Sequence, residues 1–140
     1  MKMIRIYWGI AAILMLATLA PKTFGWQGSD LEASVARGKA IYDSQCVTCH
    51  REKGEGIKDV YPPLAKSDYL MANKARSIDI VVNGLSGQIT VNGAQYDAEM
   101  LSLDLPDQQV SDVLNYVRNS WGNKGDAIKT EEVAPLKKAK

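Results

Sequence analysis

Both cysteines and the single histidine of this 140-residue chain fall in five consecutive positions, the stretch CVTCH from Cys46 to His50. Nothing else in the sequence restricts its chemistry as strongly. A disulfide is a poor use of cysteines at i and i+3, because the loop is strained and the gain in chain entropy small. Redox-active Cys-x-x-Cys pairs follow a strand and open a helix, whereas the pattern before Cys46 is helical. A structural zinc site needs four ligands, and this stretch offers three.

Covalent haem attachment uses the whole stretch. Two thiols one helical turn apart add to the vinyl groups of a haem, and the adjacent imidazole becomes an axial iron ligand. Cys46 and Cys49 are thus the expected attachment points of one haem c, and His50 its expected ligand. Such attachment occurs outside the cytoplasm, and the N-terminus agrees. Lys2 and Arg5 precede the apolar run Ile6–Ala20, followed by PKTFGWQG, the layout of a secretory signal. The run is shorter than the roughly 18–20 residues that cross a bilayer. Residues 1–25 are expected to be a cleaved signal and the protein periplasmic or otherwise extracytoplasmic, tethered to a membrane only if the segment is retained. Without Lys2, Arg5 and Lys22 the 17 basic side chains fall to 14, against 16 acidic ones. That balance gives no concentrated basic face for nucleic acid.

The other face of the iron decides between electron transfer and ligand binding. No second histidine exists, and beyond the signal the methionines are Met71 and Met100. Met71 lies in a helical pattern and reads as core packing. Met100 follows ITVNGAQY, where Asn92-Gly93 separates two short alternating runs, a strong hairpin signal. A methionine on the loop between that hairpin and the last helix can reach across a flat cofactor, so Met100 is the expected sixth ligand.

The scaffold reads as mostly α, with three to four helices around the haem and one small β-hairpin before the Met100 loop. Ser29 and Glu32 form a capping-box pattern opening a helix that runs to the first cysteine, with Leu31, Val35, Gly38 and Tyr42 on one stripe. Gly38 costs about 1 kcal/mol of helix propensity, which a closely crossing helix would explain. The last helix opens at Pro106, stops at Gly122 and carries Val110, Val113, Leu114, Val117 and Trp121 on its apolar side. A third helix covers roughly Asn73 to Val82, preceded by a short one near Ser67–Leu70. Residues 126–140 read as a polar, disordered tail after a domain spanning 26–125.

The order of Gly38, Tyr42, CVTCH, a proline pair, a late loop methionine and a final VLNYV helix resembles the class I cytochrome c family. YPPLAKSDYL, VNGLSGQITVNG and LNYVRNSWGN are similar to small monohaem cytochromes, including the cytochrome domains joined to copper nitrite reductases. The resemblance covers about residues 33–133. It implies a crossing of the first and last helices that pairs Gly38 with Tyr116. It also implies a proline carbonyl, from Pro62 or Pro63 (Pro63 being the preferred assignment), on the far nitrogen of His50. Two positions depart from the family pattern: Leu101 stands where a proline usually follows the methionine, and Arg51 where a small residue usually follows the histidine.

The expected function is one-electron carriage rather than enzymatic catalysis, to or from a redox partner protein such as a reductase or dehydrogenase, a nitrite reductase among them. The alternative is a ligand-binding or peroxidatic haem protein with a labile sixth ligand. Arg51, Lys53, Lys58 and Lys66 are a candidate steering cluster for an acidic partner, or simply a solvated loop.

Overall fold

A computed structural model describes residues 26–138; the expected signal, residues 1–25, lies outside the described residues. Helix α1 spans Trp26–Gln45, and the short α2, Val47–His50, follows it almost without a break. A loop leads to α3 (Asp68–Ala72) and α4 (Lys74–Asn83), then to strands β1 (Ile89–Val91) and β2 (Ala94–Tyr96), and α5 (Asp107–Val117) comes after the Met100 loop. The chain is therefore mostly helical with one two-stranded hairpin, the architecture expected of a cytochrome c. Among the described residues no helix is long and apolar enough to cross a membrane.

Local chemistry explains most boundaries. Ser67 caps α3 by accepting from the Leu70 amide, and Asn73 caps α4 by accepting from the Arg76 amide, each satisfying an amide that the first helical turn leaves unpaired. Asn92 and Gly93 both take positive φ, 51° and 81°, as a type I′ hairpin turn requires. The register pairs Ile89 with Tyr96 and Val91 with Ala94. Helix α1 already includes Trp26, so Ser29 lies inside it rather than at its cap.

Helices α1 and α5 cross in direct contact. A Cβ on Gly38 would stand 1.9 Å from the Asp112 carbonyl oxygen and 2.8 Å from the Tyr116 Cβ, so only glycine permits the approach. Tyr42, Tyr116 and Trp121 close the crossing with ring centroids 5.0–5.4 Å apart, within the range of favourable aromatic pairs. Helix α5 stops at Val117, short of the Gly122 expected from the pattern. The Asn123 side chain donates to the Val117 carbonyl at 2.7 Å, and Trp121 takes a φ of 52° while its ring packs on the two tyrosines.

Helix α5 is buried on two sides. Val110, Val113, Leu114 and Val117 belong to the apolar core. Ser111, Asp112 and Asn115 are also buried and form a polar seam. Ser34 Oγ donates to Asp112 Oδ1 at 2.6 Å, and Arg37 grips both carboxylate oxygens at 2.7 Å. Asn115 donates to Ser34 Oγ and to the Ile128 carbonyl, and accepts from the Ile128 amide. Every member has a partner, the condition under which a buried polar network specifies one packing.

The segment expected to be a disordered tail is packed instead. Ile128 is 2% exposed and Val133 fully buried, both in the main core. Two 3-10 turns, Thr130–Glu132 and Ala134–Leu136, carry the chain across α5 and α4, held by ion pairs Lys74–Glu132 and Lys137–Asp107. Two apolar anchors in a polar stretch suffice, because the seam on α5 supplies the hydrogen bonds.

Candidate functional site

Inside the fold is a cavity of about 400 Å³ with mostly apolar walls. Its lining comes from residues 45–117. Cys46, Cys49 and His50 enter from the α1–α2 junction, Leu70 and Val81 from α3 and α4, Val91 and Tyr96 from the hairpin, and Leu114 from α5.

The α2 turn fixes the first three side chains. The amide of His50 bonds the Cys46 carbonyl at 3.0 Å, and that of Arg51 bonds the Val47 carbonyl at 2.8 Å, so both cysteines and the histidine fall on one helical turn. Helix α2 ends at Arg51, whose φ is 63°. The fully buried Tyr42 donates its hydroxyl to the Arg51 carbonyl at 2.6 Å, locking the turn to α1. This is the sense in which Arg51 can stand where a small residue is usual: its side chain is exposed and only its backbone is constrained.

The His50 Nδ1 lies 3.0 Å from the carbonyl oxygen of Pro62. A carbonyl can only accept, so Nδ1 carries the hydrogen and the lone pair of the neutral ring sits on Nε2. Nε2 has no protein partner among the described residues. Burial lowers the His50 pKa, with the Pro62 carbonyl pulling the other way, which favours the neutral ring a metal requires. The preferred Pro63 is corrected by one position: Pro62 supplies the carbonyl, and Pro63 lines the cavity beside it. Gly56, which would drive a Cβ to 2.3 Å from the Tyr61 carbonyl oxygen, lets the loop fold tightly enough to set that register.

Cys46 and Cys49 are free thiols, each half-buried. Burial, then the neighbouring Cys49, pushes the Cys46 thiol up to about 11.

Met100 opens onto the same cavity, whereas Met71 packs against the core without lining it. The Met100 backbone is held despite the absence of a following proline. Its amide donates to the Leu85 carbonyl at 2.9 Å, and its carbonyl accepts from the Leu85 amide at 2.8 Å. Gly84, with φ 83°, leaves room for the Met100 carbonyl, which a Cβ there would meet at 2.7 Å.

The sequence pattern of the cytochrome c family matches residues 35–121. The chain belongs to the cytochrome c family. It is similar to a cytochrome c-552 of Thermus thermophilus, 37% identical over 106 residues that make up 72% of this chain and 78% of that one. It is also similar to the cytochrome c subunit of a quinone alcohol dehydrogenase from Gluconacetobacter polyoxogenes, 32% identical over 81% of this chain. The cytochrome c subunit of a gluconate 2-dehydrogenase from Pantoea cypripedii is 33% identical over the same share. The matched part is 24% and 26% of those two longer subunits. As a cytochrome c with one Cys-x-x-Cys-His, this protein carries one covalently attached haem c and serves oxidoreductases as an electron carrier rather than as an enzyme.

The cavity fits that group on structural grounds: apolar walls, two unpaired thiols one turn apart, and an imidazole lone pair left without a protein partner. The sequence reading missed the Tyr42–Arg51 clamp and the Leu85–Met100 pairing, both of which join residues with no motif between them. Arg51, Lys53, Lys58 and Lys66, a candidate steering cluster or simply a solvated loop, are all exposed, and none lines the cavity.

Proposed function

We propose that this cytochrome is an exported, periplasmic single-electron carrier whose iron is held by His50 and Met100, with haem linked through Cys46 and Cys49. The observation that carries the reading is that one apolar cavity collects those four side chains while excluding Met71. When bound, the group supplies a reversible one-electron couple.

The chain's own part is to hold and to tune. Cys46 and Cys49 fix the group permanently, Pro62 orients His50, and Leu85 holds the backbone that presents Met100. His50, oriented by Pro62, and Met100, held through Leu85, would hold the iron, and with both side chains pinned they would need to move little as its charge changes. The soft Met100 thioether would favour ferrous iron and the apolar cavity walls would penalise the more charged state, so both would raise the reduction potential of the bound group. Oxidoreductases are the partner class supported by the dehydrogenase subunits among the relatives; service to a nitrite reductase is a narrower assignment resting on sequence resemblance.

The test is to produce the full chain in a host that exports it and attaches haem. Expected are a mature mass equal to the signal-less polypeptide plus one haem, and a ferric spectrum with a weak sulfur-to-iron charge-transfer band toward the red. A high-spin ferric spectrum with rapid carbon monoxide binding after reduction would overturn the His50–Met100 assignment. A cofactor-free product would overturn the attachment.

A further inference from the structure

The rim of the cavity has a definite chemical character. Of the residues lining it, Gln45, Glu99 and Leu101 are exposed, and the rest are buried or half-buried. Leu101 is 73% exposed, the most exposed large apolar side chain among the described residues. It follows Met100 directly. Residues 97–107, DAEMLSLDLPD, contain four acids and no lysine or arginine. Asp97 and Glu99 are exposed, and neither forms an ion pair among the described residues. The exposed cations Arg51, Lys53, Lys58 and Lys66 lie on the loop between α2 and α3, and none of them lines the cavity.

We propose that Leu101, flanked by Glu99 and Asp97, is the surface on which the redox partner docks, and that this partner presents lysine or arginine side chains around an apolar seat. The proposal rests on the electron-carrier reading and names the partner chemistry for that site. Leu101 stands where the cavity meets solvent, so burying it against a partner displaces water at the point where the electron crosses. Unpaired acids beside it attract a cationic surface and speed encounter at low ionic strength. A brief complex needs only a small contact with a central apolar anchor. One electron leaves the ferrous protein and reduces the partner by one unit; no proton or atom moves with it.

The experiment uses the holoprotein and two one-electron oxidants of opposite charge. Tris(phenanthroline)cobalt(III) is a bulky apolar trication reduced to cobalt(II), and hexacyanoferrate(III) is a small trianion reduced to hexacyanoferrate(II). At low ionic strength the double variant Asp97→Lys, Glu99→Lys should react with the cobalt complex at least about fivefold more slowly and with hexacyanoferrate faster. Leu101→Ser should slow the cobalt reaction while leaving its dependence on ionic strength unchanged. Lys53→Glu with Lys58→Glu should leave the cobalt rate within about twofold of the parent. An independent readout is amide line broadening in the nitrogen-15-labelled holoprotein by redox-inert tris(ethylenediamine)chromium(III), expected around residues 97–101.

The proposal is overturned if reversing the two acids leaves the rate ratio unchanged, if the lysine reversals control that ratio instead, or if the chromium cation broadens signals elsewhere and spares 97–101. Failure of both oxidants to exchange electrons with the parent protein would sink the carrier reading, and the chromium map would still decide the surface.

Discussion

Leu85 and Met100 exchange both of their backbone hydrogen bonds, at 2.8 and 2.9 Å, an isolated antiparallel bridge between the end of α4 and the loop after the hairpin. That pair does the work a following proline would do. With its backbone fixed, Met100 can be replaced without collapsing the loop. Met100→Ala should abolish the red charge-transfer band, admit carbon monoxide to the reduced iron and lower the potential by more than about 59 mV, the equivalent of a tenfold change for one electron. Spectroscopy with a redox titration checks this, and an unchanged spectrum would move the ligand elsewhere.

The Gly38 approach predicts a stability effect separable from the haem chemistry. Gly38→Ala puts a methyl group 1.9 Å from the Asp112 carbonyl oxygen, and α1 and α5 must part to admit it. A loss of about 1–3 kcal/mol is expected, read as a fall in melting temperature of roughly 5–20 °C. The haem spectrum should hardly change, because Gly38 is not among the cavity-lining residues. A melting curve matching the parent would refute the contact.

Asp112 should make the fold acid-sensitive. Burial alone would raise its pKa, but hydrogen bonds from Arg37, Ser34 and Gln108, with the Arg37 charge, outweigh it and leave the value below the ordinary one. A carboxyl depressed in the folded state means that the unfolded chain takes up protons first as pH falls. Its stabilising share is therefore complete above the ordinary carboxylate pKa of about 3.9 and is lost as pH drops through the lower folded-state value. Asp112→Asn should cost about 1–3 kcal/mol at neutral pH, with the gap to the parent narrowing in acid. Urea midpoints measured from pH 7 downward test it, and a gap that stays constant would refute the assignment.

Deleting residues 130–140 removes Val133 from the core, together with the Leu136 carbonyl that accepts from Asn83 and the Lys137–Asp107 pair. The expected cost is about 2–4 kcal/mol, visible as a lower urea midpoint. A genuinely disordered tail would leave the midpoint in place.

What could be read in advance followed from local chemistry. The spacing of Cys46, Cys49 and His50, the Asn92-Gly93 turn and the place of Met100 on the loop after it, where it lines the cavity, are each written within a few residues. Gly38 was legible because a glycine in a helix interior demands a reason. Ser34 and Asp112 are 78 positions apart, and each alone looks like an ordinary polar residue on a helix surface. Their burial is a property of the crossing, which no window along the chain contains. The tail misled for a related reason: its composition is polar, and only Ile128 and Val133, placed against a seam nobody could see, turn it into structure. Pro62 and Pro63 share one chemistry, so the choice between them belonged to the fold of the loop around Gly56.

The carboxy-terminal segment also couples two ends of the molecule's behaviour. Lys137 reaches the Leu105 carbonyl and Asp107, and the Lys138 amide bonds the Asn83 side chain. These contacts bracket the stretch that delivers Met100, with residue 83 on one side and residues 105–107 on the other. A protease nicking this end would loosen the backbone on both sides of the Met100 loop from behind, and under the proposed His50–Met100 ligation that distant damage would show as an altered haem spectrum.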